Sequence, residues 1–155
     1  LAVADHGAVD ITRLSGKLAI APGSGILATS VIGDTSINSW FENWLSAHIN
    51  NLNKEQLSRA MIIGVSSSGT AENICSCLAK ASQSGMKTLM ISARTLKDKD
   101  PHFNTICLGT DFYHTGEVLS LMLFYQLIHG SGSTPPRISG KLGQPSFDRL
   151  VNNKL

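Results

Sequence analysis

The feature that most constrains the fold is a series of short, continuous apolar runs separated by helical patterns. Lys17-Leu18-Ala19-Ile20-Ala21 leads into Pro22-Gly23-Ser24-Gly25, and Ala60-Met61-Ile62-Ile63-Gly64-Val65 leads into Ser66-Ser67-Ser68-Gly69. Lys87-Thr88-Leu89-Met90-Ile91-Ser92 is a third run and Thr105-Ile106-Cys107-Leu108 a weaker fourth. Apolar runs without polar alternation suit strands covered on both faces, as in a parallel sheet. Over 37–52 the apolar set is Ile37, Trp40, Phe41, Trp44, Leu45, Ile49 and Leu52, an amphipathic helical stripe that Ser36 is placed to cap. A second helix is expected over 71–84, with Ile74, Leu78 and Ala81 on one face and Gly85 as its stop. The third, over 114–129, is apolar nearly all round from Val118 to Ile128, which predicts a place in the core or at a subunit interface. This order predicts right-handed crossovers and an α/β fold, a single doubly wound parallel sheet flanked by helices.

A chain of 155 residues is the size of one domain. That domain is expected over 1–130, followed by a C-terminal arm over 131–155 broken by Gly132, Pro135, Pro136, Gly140, Gly143 and Pro145. Charged residues make up 15% of the chain, below the usual figure of about 25%, so part of the surface is expected to face a partner. A homodimer or homotetramer is the expected assembly. The net charge is only +2, and the densest charged stretch, Lys97-Asp98-Lys99-Asp100, is balanced, which argues against nucleic acid as a partner. No apolar run approaches the roughly 20 residues of a membrane span. Cys75, Cys77 and Cys107 are odd in number, and they read as buried free thiols in a reducing compartment, the cytoplasm. The chain opens at Leu1 without a basic-then-apolar leader, and reads as a fragment of a longer one.

The stretch richest in chemistry is Val65-Ser66-Ser67-Ser68-Gly69-Thr70-Ala71-Glu72-Asn73, between a buried strand and a helix. Ligands of open α/β sheets bind at the carboxyl ends of strands. The first turn of the next helix offers unpaired N–H groups and the positive end of a dipole, so an anion can be held without a lysine. Gly69 lets the backbone approach a ligand closely. A Ser/Thr cap alone needs one hydroxyl, and this loop has four.

The Ser66-Ser67-Ser68-Gly69 loop, the following helix and Gly85-Met86-Lys87-Thr88-Leu89-Met90-Ile91-Ser92 resemble the sugar isomerase (SIS) domain, whose Ser-x-Ser-Gly loop takes phosphosugars. Asn73 and Gly85-Met86-Lys87 are similar to the phosphoheptose isomerases of that family. The specific match spans 60–92, and the order of elements extends it over roughly 17–130. The resemblance implies a phosphorylated sugar as ligand, bound by Ser66, Ser67, Ser68, Gly69 and Thr70, and aldose–ketose isomerisation without a cofactor. It also implies a sugar contact from Ser24 in the Gly23-Ser24-Gly25 loop. Two departures stand out. Where the family carries Ser or Thr two places after the motif glycine, this chain has Ala71, with Thr70 beside it. No counterpart of the family's leading helix is read ahead of the first run. The rival reading of Gly23-x-Gly25-x-x-Ala28 as a dinucleotide fingerprint needs an immediate helix and an acid closing a second strand. The next strong helix starts near 37, and Glu42 lies inside it.

Moving a proton between C1 and C2 of a sugar needs a base, and opening the ring needs an acid/base pair. Glu117 and His114 stand i, i+3 at the start of the most apolar helix, so both can address one spot. Dipole compensation and a satisfied histidine explain the same pair without catalysis. Glu42, on the polar side of the 37–52 helix, is the fallback base, able to serve a neighbouring subunit. Glu72 suits the helix dipole. His48 continues an apolar stripe, and His6, His102 and His129 have no company suggestive of metal. Two further functions remain open beside isomerisation: a non-catalytic sugar-phosphate sensor or regulatory module, and an assembly subunit whose loop binds nothing.

Overall fold

A computed structural model describes residues 2–23, 26–96 and 100–133. Its elements are α1 (Ala2–Ser15), α2 (Ile26–Asp34), α3 (Trp40–Ile49), α4 (Lys54–Arg59), β1 (Met61–Ser66), α5 (Glu72–Gln83), β2 (Lys87–Ser92), β3 (Asn104–Cys107) and α6 (Tyr113–Gly130). The three strands form one parallel sheet in the order β1-β2-β3. Ser66 is level with Ser92, and Ser92 with Cys107, so the carboxyl ends of all three strands share one edge.

Side-chain alternation explains the continuous apolar runs. Ile62 and Met90 face α5, where they meet Ile74, Leu78 and the loop residue Phe103. Ile63, Val65, Leu89 and Ile91 point the other way, to Phe124 and Leu121 of α6 and to Val3 and Ile11 of α1. Both faces are therefore covered by helices, and β2, the central strand, is buried from Thr88 onward. Burying Met90 or Ile91 contributes about 1.5–3 kcal/mol each. Outside α5 lies a further layer, in which Trp44 and Leu45 of α3 pack on Cys77 and Ala81. Gly85, at φ 87°, turns the chain out of α5 where a stop was expected.

Lys17–Ala21 is not a strand. It runs beside α1, where the Thr12 hydroxyl donates to the Ala19 carbonyl and accepts the Ala19 N–H, each at 2.9 Å. One side chain thus satisfies both backbone groups of Ala19, and Leu18 stays 85% exposed. A helix, α1, precedes that segment, where none was expected. Its contact stripe is hard to read because Gly7 and Asp10 interrupt it. Gly7 lies against Phe124 of α6, where an added Cβ would come within 2.7 Å of the ring. Asp10 is buried and accepts a hydrogen bond from Tyr125 Oη at 2.7 Å.

The 37–52 helix is shorter than its pattern, and Ser39 rather than Ser36 precedes its first turn. Ser36 bonds to the Ser39 N–H and hydroxyl instead. His48, expected to be packed, is exposed; its ring lies against that of Trp44 and its Nδ1 lies 2.8 Å from the Trp44 carbonyl. In α6 only one stripe is buried, Gly116, Ser120, Phe124 and Ile128, while Val118 and Met122 are each 57% exposed in the single chain. Of the thiols, Cys77 is buried, Cys75 half-buried and Cys107 exposed, so the expectation of buried cysteines fails at the end of the edge strand β3. The expected C-terminal arm lies outside the described residues from 134 onward. Among the described residues no helix is long and apolar enough to cross a membrane.

Candidate functional site

β1 delivers Ser66 to the carboxyl edge of the sheet, and the loop 66–71 turns there into α5. Ser66 is buried, and its Oγ accepts the Gly69 N–H at 3.0 Å. This hydroxyl braces the loop from inside. Gly69 has φ 71°, and a Cβ on it would fall 2.6 Å from Ser92 Oγ and collide with Leu96, so no other residue fits the turn. Ser67, Ser68 and Thr70 are exposed on the outer side. Ser68 Oγ accepts the Thr70 N–H at 3.2 Å, which leaves the serine proton available to a ligand. Ala71 precedes the first turn of α5 without a side-chain cap. The leading N–H groups of this 12-residue helix therefore point past the loop with the positive end of the dipole.

A small cleft opens between this loop and α6, lined by Val65, Ser66, Ser67, Ile91, Ala93, Gly116, Glu117 and Ser120. Gly116 is what lets α6 come so near, since an added Cβ would sit 3.1 Å from that of Ala93. The Ser120 hydroxyl donates to the Gly116 carbonyl at 2.7 Å and so stays within its own helix.

The structure brings Glu117 together with Ser66 and Ser67. The Glu117 side chain is 60% exposed, and its Oε2 lies 3.8 Å from Nδ1 of His114, whose side chain is fully exposed and lines no part of the cleft. Glu42 is not brought to the cleft. Its carboxylate lies 4.0 Å from Lys80 Nζ, on the side of α5 that faces α3. Ser24 lies outside the described residues. Glu72, at the first turn of α5, accepts a hydrogen bond from Asn38 Nδ2 at 3.1 Å, which ties the α3 approach to the end of the loop.

Sequence reasoning did not single out Arg94 or Asp111. The Arg94 N–H donates to the Ser67 carbonyl at 3.3 Å, and Arg94 Nε lies 3.1 Å from Asp111 Oδ1. The available signal was position, because Arg94 follows the β2 terminus and Asp111 precedes α6. A wider groove between α1 and the 19–21 segment, flanked by Asp5 and Arg13, shares no residue with the cleft. Among the described residues no cluster of His, Cys, Asp and Glu is arranged to hold a metal ion.

No protein-family model matches the chain, and no curated relative matches it. Among solved structures it is similar to the phosphoheptose isomerase of Neisseria gonorrhoeae, with a TM-score of 0.64 and 18% identity over 84% of this chain and 70% of that one. At this identity the likeness is one of fold: a parallel sheet flanked by helices, with a serine-rich turn at the carboxyl end of β1 in the present chain.

Proposed function

We propose that this protein binds a phosphorylated sugar on the Ser66–Thr70 loop and interconverts its aldose and ketose forms, with Glu117 as the base. The observation that carries this reading is the shared cleft, in which Glu117 stands opposite Ser66 and Ser67. The phosphate takes hydroxyl protons from Ser67, Ser68 and Thr70 and faces the N-terminus of α5, while Ser66 and Gly69 hold the turn. The carbon chain then runs toward α6. There the Glu117 carboxylate removes the proton from C2 of the open-chain aldose as O1 takes a proton from solvent, and returns it to C1 of the enediol as the O2 hydroxyl gives its proton up to solvent. The hydrogen moves as a proton between neighbouring carbons of one molecule, so no hydride acceptor is needed. His114, beside Glu117, serves ring opening.

The exposed Val118 and Met122 on α6, with Phe112 and Tyr113 at its start, suit burial in a homodimer or homotetramer. A neighbour there also excludes water from Glu117. Glu42, held toward Lys80 in its own chain, has a part in this scheme only at a neighbour's site. Ser24 is assigned to the sugar as the resemblance implies, and the free thiols suit a cytoplasmic protein.

A second reading, the non-catalytic sensor, is favoured by the exposure of Glu117 and His114 and by the missing hydroxyl at Ala71. One experiment separates the two. Sugar phosphates that raise the melting temperature are incubated with the protein in deuterated water, and deuterium is followed at C1 and C2 by NMR. Incorporation establishes the isomerase. Binding without incorporation leaves the sensor, and no melting shift with any sugar phosphate sinks both.

A further inference from the structure

The serine loop contains no cation, and among the described residues no lysine or arginine lines the cleft. Two carboxylates stand close by, Glu117 in the cleft and Glu72 in the first turn of α5. Both add negative charge to the surroundings of a phosphate dianion on the loop. The helix terminus offers only about half an elementary charge in compensation.

Arg94 is placed to supply the rest. Its backbone is fastened to the loop from two sides. The Arg94 N–H donates to the Ser67 carbonyl at 3.3 Å, and its own carbonyl accepts from Ser92 Oγ at 2.7 Å, the hydroxyl against which Gly69 is packed. Its neighbour Ala93 is part of the cleft wall. The guanidinium contacts Asp111 through Nε at 3.1 Å. That contact is local, because the Thr110 N–H donates to the Ala93 carbonyl at 2.9 Å and keeps the two segments side by side. The two side chains are 63% and 80% exposed, so the pair is held in solvent, where ion pairs are weak and screened by salt. A dianion on the neighbouring loop competes with a single carboxylate for the same guanidinium, whose planar fork fits phosphate oxygens.

We infer that Arg94 is the residue that selects a dianionic phosphate at this site, and that Asp111 is its intramolecular competitor. This rests on the sugar-phosphate reading of the loop and adds the residue that sets its charge preference. Ligand arrival exchanges the Asp111 contact for a phosphate contact by side-chain rotation alone, with the Arg94 backbone fixed.

The test is calorimetric titration of a hexose 6-phosphate, and separately of inorganic phosphate, at pH 7.5 into the wild type, Arg94→Gln, Asp111→Asn and the double variant. Arg94→Gln is expected to weaken both ligands about tenfold or more, the scale of a charged hydrogen bond. Asp111→Asn is expected to strengthen both about two- to fivefold, the range of an exposed ion pair. The double variant is expected to match Arg94→Gln alone, because Asp111 acts through Arg94 and the two changes are not additive. Melting curves of the four proteins coincide, since both side chains lie at the surface. Wild type that binds the phosphates while Arg94→Gln binds them equally well overturns the inference and spares the loop reading. An equal gain from Asp111→Asn with and without Arg94 also overturns it, by reducing Asp111 to a general repulsion. Failure of the wild type to bind either phosphate overturns the loop reading and this inference together.

Discussion

Gly116 of α6 and Ala93, just past β2, are so close that a Cβ on the glycine would lie 3.1 Å from the alanine Cβ. This contact sets the width of the cleft, since Glu117 follows Gly116 and Ser67 lies on the opposite wall. Gly116→Ala gains up to about 1 kcal/mol of helix propensity and gives back a similar amount through crowding, so its melting point is expected to stay close to wild type. Gly116→Val cannot be accommodated without moving α6, and a loss of about 1–3 kcal/mol is expected in urea unfolding. A wild-type unfolding curve for Gly116→Val would show that α6 does not rest on Ala93.

The four hydroxyls of the loop divide by burial. Ser66→Ala removes the acceptor for the Gly69 N–H and leaves that buried donor unpaired, which costs about 1–3 kcal/mol. Ser68→Ala removes an exposed hydroxyl and is expected to leave the melting temperature unchanged while weakening a sugar phosphate by about fivefold or more. Parallel thermal and binding assays separate the two effects. Equal stability losses in both variants would contradict this division.

Residues buried on two faces made the fold legible. Met90 and Ile91 point to opposite helical layers, and only a strand with both sides covered needs such a run. The α5 stripe and Gly85 were legible for the same reason, because Leu78 and Ala81 recur at helical spacing before a positive-φ turn. Lys17–Ala21 carries the same kind of run, but an apolar pentapeptide lies equally well along a helix, and Thr12 supplied both backbone partners of Ala19. α1 was missed because Gly7 and Asp10, which meet α6, stand between the apolar Val3 and Ile11 and break up the stripe. In the cleft, the serine loop and Glu117 could be found from spacing. Arg94 could not, because its place beside Ser67 depends on the pairing of β1 with β2 and not on nearness in sequence.

The thiols make a graded probe of this packing. Burial, and secondarily the Glu42 charge, pushes the Cys77 thiol up to about 12 from an ordinary 9.0. Burial, followed by the Asp100 charge, also raises Cys75, whereas Cys107 is exposed. A thiol reagent at pH 8 is expected to label Cys107 first, Cys75 slowly and Cys77 only on unfolding. Between pH 9.0 and about 12 the unfolded chain releases the Cys77 proton while the folded chain retains it. The unfolded state then binds fewer protons, so this contribution to stability is fully present below the ordinary value and is lost as pH rises through that window. Cys77→Ala is expected to lower stability at pH 7 yet flatten its decline above pH 9. Rapid labelling of Cys77 in the folded protein would contradict the α3–α5 packing.

In the proposed isomerisation the base is Glu117, the only carboxylate among the described residues that lines the cleft with the serine loop. Glu117→Gln keeps the size of the side chain and its carbonyl oxygen but removes the basic oxygen. It is therefore expected to bind a sugar phosphate as the wild type does and to lose turnover by about 100-fold or more, the scale of general-base catalysis. His114 touches Glu117 from the solvent side, so His114→Asn is expected to slow ring opening and to matter less with an acyclic substrate. Glu42→Gln breaks the contact with Lys80 and changes turnover only if the carboxylate serves a neighbouring subunit. Mixing inactive Glu42→Gln with inactive Glu117→Gln would then restore part of the activity. The comparison is made on deuterium exchange at C2, which reports proton removal itself and is blind to later steps. Full exchange in Glu117→Gln would transfer the base to another residue, and exchange lost together with binding would recast Glu117 as a sugar contact.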